Sequence, residues 1–287
     1  MAIKTILAGV SGGTASNGAV DLACRLAVQF GAHLEALHVR VDVEDLMLSA
    51  GATGFALPLD GRWIDEITAN AAATADKIKA SFVEAAARHG LPFVAAPEPG
   101  KAGASWHDEA GDAPVAVARR ARFFDLVVLG RSDRVVDKPH SDAIEQALLQ
   151  SGRPVLVSPA EPPAAIGETV AIGWNGSVQA VRALVASLPF LRRARQTFII
   201  EVGEADTKSA PPLRDYLGMH GVSATVRNVL KVPPVGPGGQ LLAAAREEGA
   251  DLLVMGAYGQ APWREALFGG ATRTVVGTSL LPLLITH

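Results

Sequence analysis

The chain has 287 residues, of which 49% are hydrophobic and 19% charged, with a formal net charge of −3 and an isoelectric point near 6.2. That length predicts about two domains of ordinary size, and an apolar share carried by Ala, Val and Leu rather than by aromatics suits helices packed on parallel strands buried on both faces. The charge balance offers no field for nucleic acid or an anionic membrane, no run approaches the ~18 to 20 apolar residues of a spanning helix, and a single cysteine excludes intrachain disulfides and a thiolate metal cluster.

Met1 to Thr5 lead into a strand without an apolar leader, so a cytoplasmic location is expected. The first half then alternates strand 3–10, helix 16–30, strand 33–39, helix 64–89, strand 91–96, helix 107–121, strand 125–129, helix 141–150 and strand 154–158. Cys24 falls among Leu22, Ala23, Leu26 and Ala27 on a helical pattern, the setting of a buried small hydrophobe rather than a reactive thiol. Pro159-Ala160-Glu161-Pro162-Pro163 cannot continue a helix and reads as a linker between domains at 1–159 and 166–287. The alternation predicts a doubly wound parallel sheet, with ligands at the strand C-termini where the winding direction reverses.

The second half repeats the first. Ile6 to Val10 followed by Ser11-Gly12-Gly13 corresponds to Val170 to Trp174 followed by Asn175-Gly176-Ser177, an offset of 164 residues. Asp125-Leu126-Val127-Val128-Leu129-Gly130 corresponds to Asp251-Leu252-Leu253-Val254-Met255-Gly256 at an offset of 126, and Arg153-Pro154-Val155-Leu156-Val157 to Leu281-Pro282-Leu283-Leu284-Ile285 at 128. The falling offset leaves the first half 38 residues longer between its opening turn and its glycine block, mostly after Val39. Order is kept throughout, which marks a tandem duplication.

The sharpest local signal is Gly256-Ala257-Tyr258-Gly259, nine residues, then Gly269-Gly270 opening a helix. Glycines let backbone N–H groups approach phosphate oxygens unobstructed, and the following helix contributes its positive N-terminus. A glycine-rich turn that merely packs strand against helix would show the same pattern. In the first half Gly130 is followed by Arg131-Ser132-Asp133, and Ala143-Ile144 stand where the glycine pair would be, so a carboxylate would repel the ligand there.

On these residues the chain resembles the universal stress protein family, in its tandem two-domain form. The resemblance covers nearly the full length twice and rests on the opening strand and turn, the block at 125–130, the closing strand at 153–157 and the spacing from 256 to 270. It implies two flavodoxin-like, adenine-nucleotide α-hydrolase-like α/β domains, each a five-stranded parallel sheet flanked by helices. It further implies pairing through the last strands, so that the two halves mimic a dimer within one chain, with a homodimer of the whole chain open. The implied ligand is ATP or AMP, with Mg2+ beside ATP. Trp174, Asn175 and Gly176 would line the base and ribose, and Gly256, Gly259, Gly269 and Gly270 would surround the phosphates. Trp174 serves equally well as an interdomain packing residue. The family's usual acidic residue in the first turn is replaced by Ser11 and Asn175, and its Ser or Thr after the last motif glycine by Gly270.

Three readings follow. The first is a non-catalytic stress-response protein that binds adenine nucleotide in its second domain only. The second is a nucleotide-free scaffold with decayed sites, and the third a slow ATPase, for which no general base or metal-ligand cluster is evident. His33, His38, His107, His140 and His220 show no metalloprotease spacing, and Ser11 lacks the flanking glycine of a hydrolase elbow. The arginine groups at 119, 120, 122 and at 192, 193, 195 read as solvated helix faces. Val232 to Gly239, with three prolines and three glycines, reads as a connector.

Overall fold

The computed structural model of the chain describes residues 2–42, 61–131, 138–203, 210–257 and 270–287. The first half contains β1 (Thr5–Gly9), α1 (Gly13–Phe30), β2 (His33–Arg40), α2 (Gly61–Arg88), β3 (Gly103–Ala110), α3 (Ala113–Ala121), β4 (Leu126–Gly130), α4 (Lys138–Gln150) and β5 (Val155–Ser158). The second contains β6 (Thr169–Gly173), α5 (Val178–Leu191), β7 (Gln196–Val202), α6 (Ala210–Met219), β8 (Thr225–Val229), α7 (Pro237–Glu247), β9 (Leu252–Gly256), α8 (Gly270–Thr278) and β10 (Leu283–Thr286).

All ten strands form one sheet in the order β3-β2-β1-β4-β5-β10-β9-β6-β7-β8. Within each half every pairing is parallel, as alternating strands and helices require. The halves meet at one antiparallel pair, β5 with β10, in which Leu156 faces Leu284. The expected five-stranded parallel sheets and their pairing through the last strands are therefore both present. Because that central pair is antiparallel, the strand C-termini of the two halves lie at opposite ends of the sheet.

β4, β5 and β10 are buried at every position, so their near-continuous Val and Leu runs reflect burial on both faces. One face of the sheet packs against α1, α2, α5 and α6 through residues such as Leu22, Phe82, Leu184 and Leu217. The other packs against α3, α4, α7 and α8 through Val117, Leu148, Leu242 and Val275. Each apolar layer includes residues of both halves. Phe30 at the end of α1 meets Phe190 of α5 edge-on, with ring centroids 5.0 Å apart, and Arg193 lies 5.2 Å over the Phe30 ring while donating to the Gln29 carbonyl. The linker is pinned along α1. Arg25 donates to the carbonyls of Pro163 (2.6 Å) and Ala164 (2.7 Å), and Gly18 leaves room for the Ala160 carbonyl, which a Cβ there would approach to 2.2 Å.

Three expected elements are corrected. The third strand is Gly103–Ala110 rather than 91–96, and 107–110 belong to it rather than to a helix. The apolar run at 91–96 carries Pro92 and is bounded by Pro97, and it makes only an isolated bridge, Phe93 with Ala104. β3 is an edge strand whose C-terminal half is only partly covered, so it tolerates His107-Asp108-Glu109 and shows little apolar pattern. The following helix starts only after Asp112, whose Oδ1 accepts from the Val115 N–H at 3.0 Å. The connector at 232–239 is likewise shorter than expected, because Pro237, Gly238 and Gly239 open α7 with proline in the first turn, where its missing N–H costs nothing.

The repeated aspartates anchor each half at the N-terminal edge of its strands. Asp125 accepts from the Lys4 and Thr5 N–H groups at 2.8 and 3.0 Å, and Asp251 from those of Gly167, Glu168 and Thr169 at 2.6, 3.0 and 3.2 Å. Burial nevertheless holds the Asp251 carboxyl above the usual carboxylate range, outweighing the lowering effect of these three donors. Replacing Asp251 by Ala strands the donors and should cost about 2 kcal/mol in urea unfolding. Since the folded state holds the Asp251 proton more tightly than the unfolded chain, the stability this group contributes falls as pH rises through its raised pKa. The wild type should therefore gain on Asp251→Asn as the pH is lowered from neutrality towards the carboxylate range.

Candidate functional site

In each half the reversal of winding falls between the first and fourth strands, β1 and β4 or β6 and β9, whose following loops emerge side by side. The first turn is built alike in both. Val10 N–H donates to the Leu37 carbonyl at 2.8 Å, and Trp174 N–H to that of Ile200 at 2.9 Å. Gly12 and Gly176 both take positive φ, +79° and +70°, which lets the chain turn sharply from strand into helix.

The details differ. In the second half Asn175 Oδ1 accepts from the Ser177 N–H (3.1 Å) and from its hydroxyl (2.7 Å), and Ser177 Oγ caps α5 by accepting from the Ala180 N–H at 3.1 Å. In the first half α1 begins after Gly12 without a side-chain cap, while Ser16 Oγ accepts from the Ser11 N–H at 3.1 Å. Ile78 of α2 lies over Gly12, 3.4 Å from where a Cβ would stand, whereas nothing among the described residues comes within 4 Å of that point at Gly176.

The crevice of the first half, lined by Gly9, Val10, Leu37, Leu129 and Ala143 among others, encloses about 90 Å³. Ordinary small-molecule pockets enclose roughly 300–1,000 Å³. In the second half Trp174 is partly buried against the apolar layer that the sheet shares with α1, α2, α5 and α6. Its indole N–H is enclosed and has no acceptor among the described residues.

Of the glycine motif, Gly256 ends β9 and Gly270 opens α8, while Gly259 and Gly269 lie outside the described residues, as does Asp133 of the first half. Gly256 does not have positive φ. A Cβ there would stand 2.4 Å from Ala180 N and 2.5 Å from the carbonyl carbon of Gln179, because the first turn of α5 lies directly on the strand end. Gly130 meets α1 in the same way, at 2.3 Å from the Ala15 carbonyl oxygen. The last glycine of each repeated block is therefore required by packing, whatever the loop after it binds. Sequence spacing alone could not separate that role from contact with phosphate, but its recurrence in the half without the rest of the motif points to it.

The other reactive candidates are structural. Cys24 is fully buried in α1, and burial pushes its thiol up to about 12. His33 is buried against the Ser105 hydroxyl at 2.8 Å, and that burial lowers its pKa despite the nearby Glu35. His38 donates through Nδ1 to the Val10 carbonyl at 2.8 Å and stacks on Trp106. The arginine groups are not merely solvated faces. Arg120 clasps Glu35 through two bonds of 2.7 and 2.8 Å, tying α3 to β2, and Arg192 donates to His220 at 3.1 Å. Among the described residues no group of three His, Cys, Asp or Glu could hold a metal ion, and no helix is long and apolar enough to cross a membrane.

Residues 223–287, which hold β8 to β10 and the glycine spacing, match the model of the universal stress protein family. The resemblance seen in the sequence is thus upheld where the motif is retained. Over 98% of its length the chain shares the fold of a universal stress protein from Archaeoglobus fulgidus, covering 95% of that chain at a TM-score of 0.70 and 16% identity. A functionally unknown protein from Pseudomonas aeruginosa PAO1 is similar over 99% of this chain and 92% of its own, at a TM-score of 0.57 and 14% identity. At such identities the shared property is the fold: two linked Rossmann-like α/β units spanning the full chain. No curated protein sequence matches.

Two measurements test the packing roles. Gly256→Ala and Gly130→Ala should each lose about 1–3 kcal/mol in denaturant unfolding, because backbone must shift to admit the methyl group. Gly218→Ala, in the open on α6, should gain a few tenths to about 1 kcal/mol. Cys24 should resist alkylation at neutral pH in the folded chain and react at once in denaturant.

Proposed function

We propose that the chain is a non-catalytic stress-response protein of the cytoplasm, made of two repeats at 1–159 and 166–287. Only the second binds an adenine nucleotide, ATP or AMP, with Mg2+ accompanying ATP. The reading is carried by the unequal state of two corresponding turns. In the first half the crevice between the ends of β1 and β4 holds about 90 Å³, below the size of ordinary ligand pockets, and the wider space of about 410 Å³ beside Gly12, Gly13 and Ile78 lies on the α1 and α2 side. In the second half the turn at Gly176 is uncovered among the described residues, and the adjacent Trp174 indole N–H has no acceptor among them.

In this reading Trp174 and the Asn175-Gly176 turn face the base and ribose. The phosphates take the N–H groups of Gly259, Gly269 and Gly270 and the positive end of α8. Gly256, at the start of the same loop, also lets β9 end close against α5. The binding needs no catalytic side chain, in keeping with a ligand-dependent switch.

One observation favours the scaffold reading instead. The Asn175 side-chain oxygen is already occupied by Ser177, and Val178, Val181 and Val185, at helical spacing on α5, are 62%, 44% and 41% exposed. Such a row suits protein association as well as it suits a site that has lost its ligand.

Mass spectrometry of ligand released from the purified chain, followed by calorimetric titration with ATP and Mg2+, decides between them. Adenine nucleotide in the released fraction and saturable binding are expected, with binding abolished by Gly259→Asp, which copies the first half. Absence of binding at millimolar nucleotide would overturn the proposal in favour of the scaffold.

A further inference from the structure

Helix α8 spans only nine residues, and its two ends are held from different halves of the chain. Its first turn rests on α7 of its own half. A Cβ on Gly238 would stand 2.6 Å from the Ala271 carbonyl oxygen, so the two helices approach with backbone nearly in contact. The last turn is held by Arg131, the residue that follows β4 in the first half. Its Nη1 donates to the Val276 carbonyl at 3.3 Å and to the Ser279 carbonyl. Carbonyls of a final helical turn have no intrahelical donor, and a guanidinium there also meets the negative end of the helix dipole. The arginine is itself well placed, since its backbone N–H donates to the Ser158 carbonyl at 2.9 Å and so continues the β4–β5 ladder.

The contact is possible because β5 and β10 run antiparallel, which brings the C-terminal end of β4 to the level at which α8 ends. It is not returned. Ala257 occupies the position in the second half that Arg131 holds in the first, with the same backbone bond, to Thr286 at 2.8 Å, and a methyl group cannot reach across. Both helix ends are closed locally in the same way: in α4 Ser151 N–H donates to the Ala147 carbonyl and its hydroxyl accepts from the Arg153 N–H, and in α8 Ser279 N–H donates to the Val275 carbonyl and its hydroxyl accepts from the Leu281 N–H. The end of α4 is then met by Arg122 of its own half, on the Gln150 carbonyl at 3.2 Å, where α8 is met by Arg131 of the other half.

We infer that Arg131 is a positioning residue through which the first half, itself without a working site, holds the helix on which the ligand end of the second half depends. The consequence for binding rests on the nucleotide reading above; the clamp on α8 does not. The residue immediately after the glycine of the degenerate motif thereby has a use that the motif never required.

Hydrogen exchange of the full-length chain followed by mass spectrometry tests this with Arg131→Met, which keeps the aliphatic stem, and Arg131→Lys. In the methionine variant the amides of 270–278 should exchange about tenfold faster, while those of β1 and β6 stay unchanged and lysine restores most of the protection. Unchanged exchange in α8, equal acceleration in every strand, or a lysine variant no better than methionine would overturn the inference. Where the wild type binds ATP, Arg131→Met should weaken it several-fold. A wild type that binds none sinks the nucleotide reading, and the exchange data then judge the clamp alone.

Discussion

The antiparallel pair of β5 and β10 is the contact on which the rest of the structure depends. Each strand would otherwise be the exposed edge of a five-stranded sheet, rich in Val and Leu and covered on both faces, a template for uncontrolled pairing. Joined to each other, the two edges disappear into a ten-stranded sheet and both apolar layers run unbroken across the halves. The antiparallel sense sets the geometry of everything that follows. It sends the two strand-end crevices to opposite ends of the molecule, so neither can share a ligand with the other, and it brings the end of β4 beside the end of α8.

The duplication has been put to unequal use. The first half kept a long helix, α2, whose Ile78 lies over the β1–α1 turn, and it lost the glycines after β4. The second half has a ten-residue helix, α6, in the corresponding place and retains the glycine spacing. Shared features are those needed to hold a sheet together: the aspartate that caps the start of the first strand, the glycine that admits the next helix, and the buried closing strand. Divergence concentrates in the second helix of each half and in the loops after the strands, which can change without unfolding the domain.

Much of this was legible in the sequence. The tandem order, the parallel sheets and the pairing of last strands follow from recurring blocks whose apolar runs have no alternative but burial on both faces. β3 was misplaced because an edge strand is covered on one side only. Its polar end, Trp106 to Glu109, is stabilised by Arg40 on Asp108 and Arg119 on Glu109, side-chain pairs that leave no periodic trace, while the more apolar 91–96 carries proline and makes a single bridge. The start of α7 was missed for a related reason: Gly238 reads as a turn former, yet it is there so that α7 can lie against the backbone of α8.

The sequence by itself determined the architecture and the unequal retention of the phosphate-type motif, because local propensity and block recurrence are properties of the chain alone. Only the tertiary structure decided what individual residues do. Gly256 admits the first turn of α5, Asn175 closes its own turn, Trp174 packs on an apolar layer that spans both halves, and Arg131 reaches a helix 145 residues away in the chain. These roles depend on which backbone groups arrive opposite a side chain once the sheets have joined, and sequence spacing does not encode that distance.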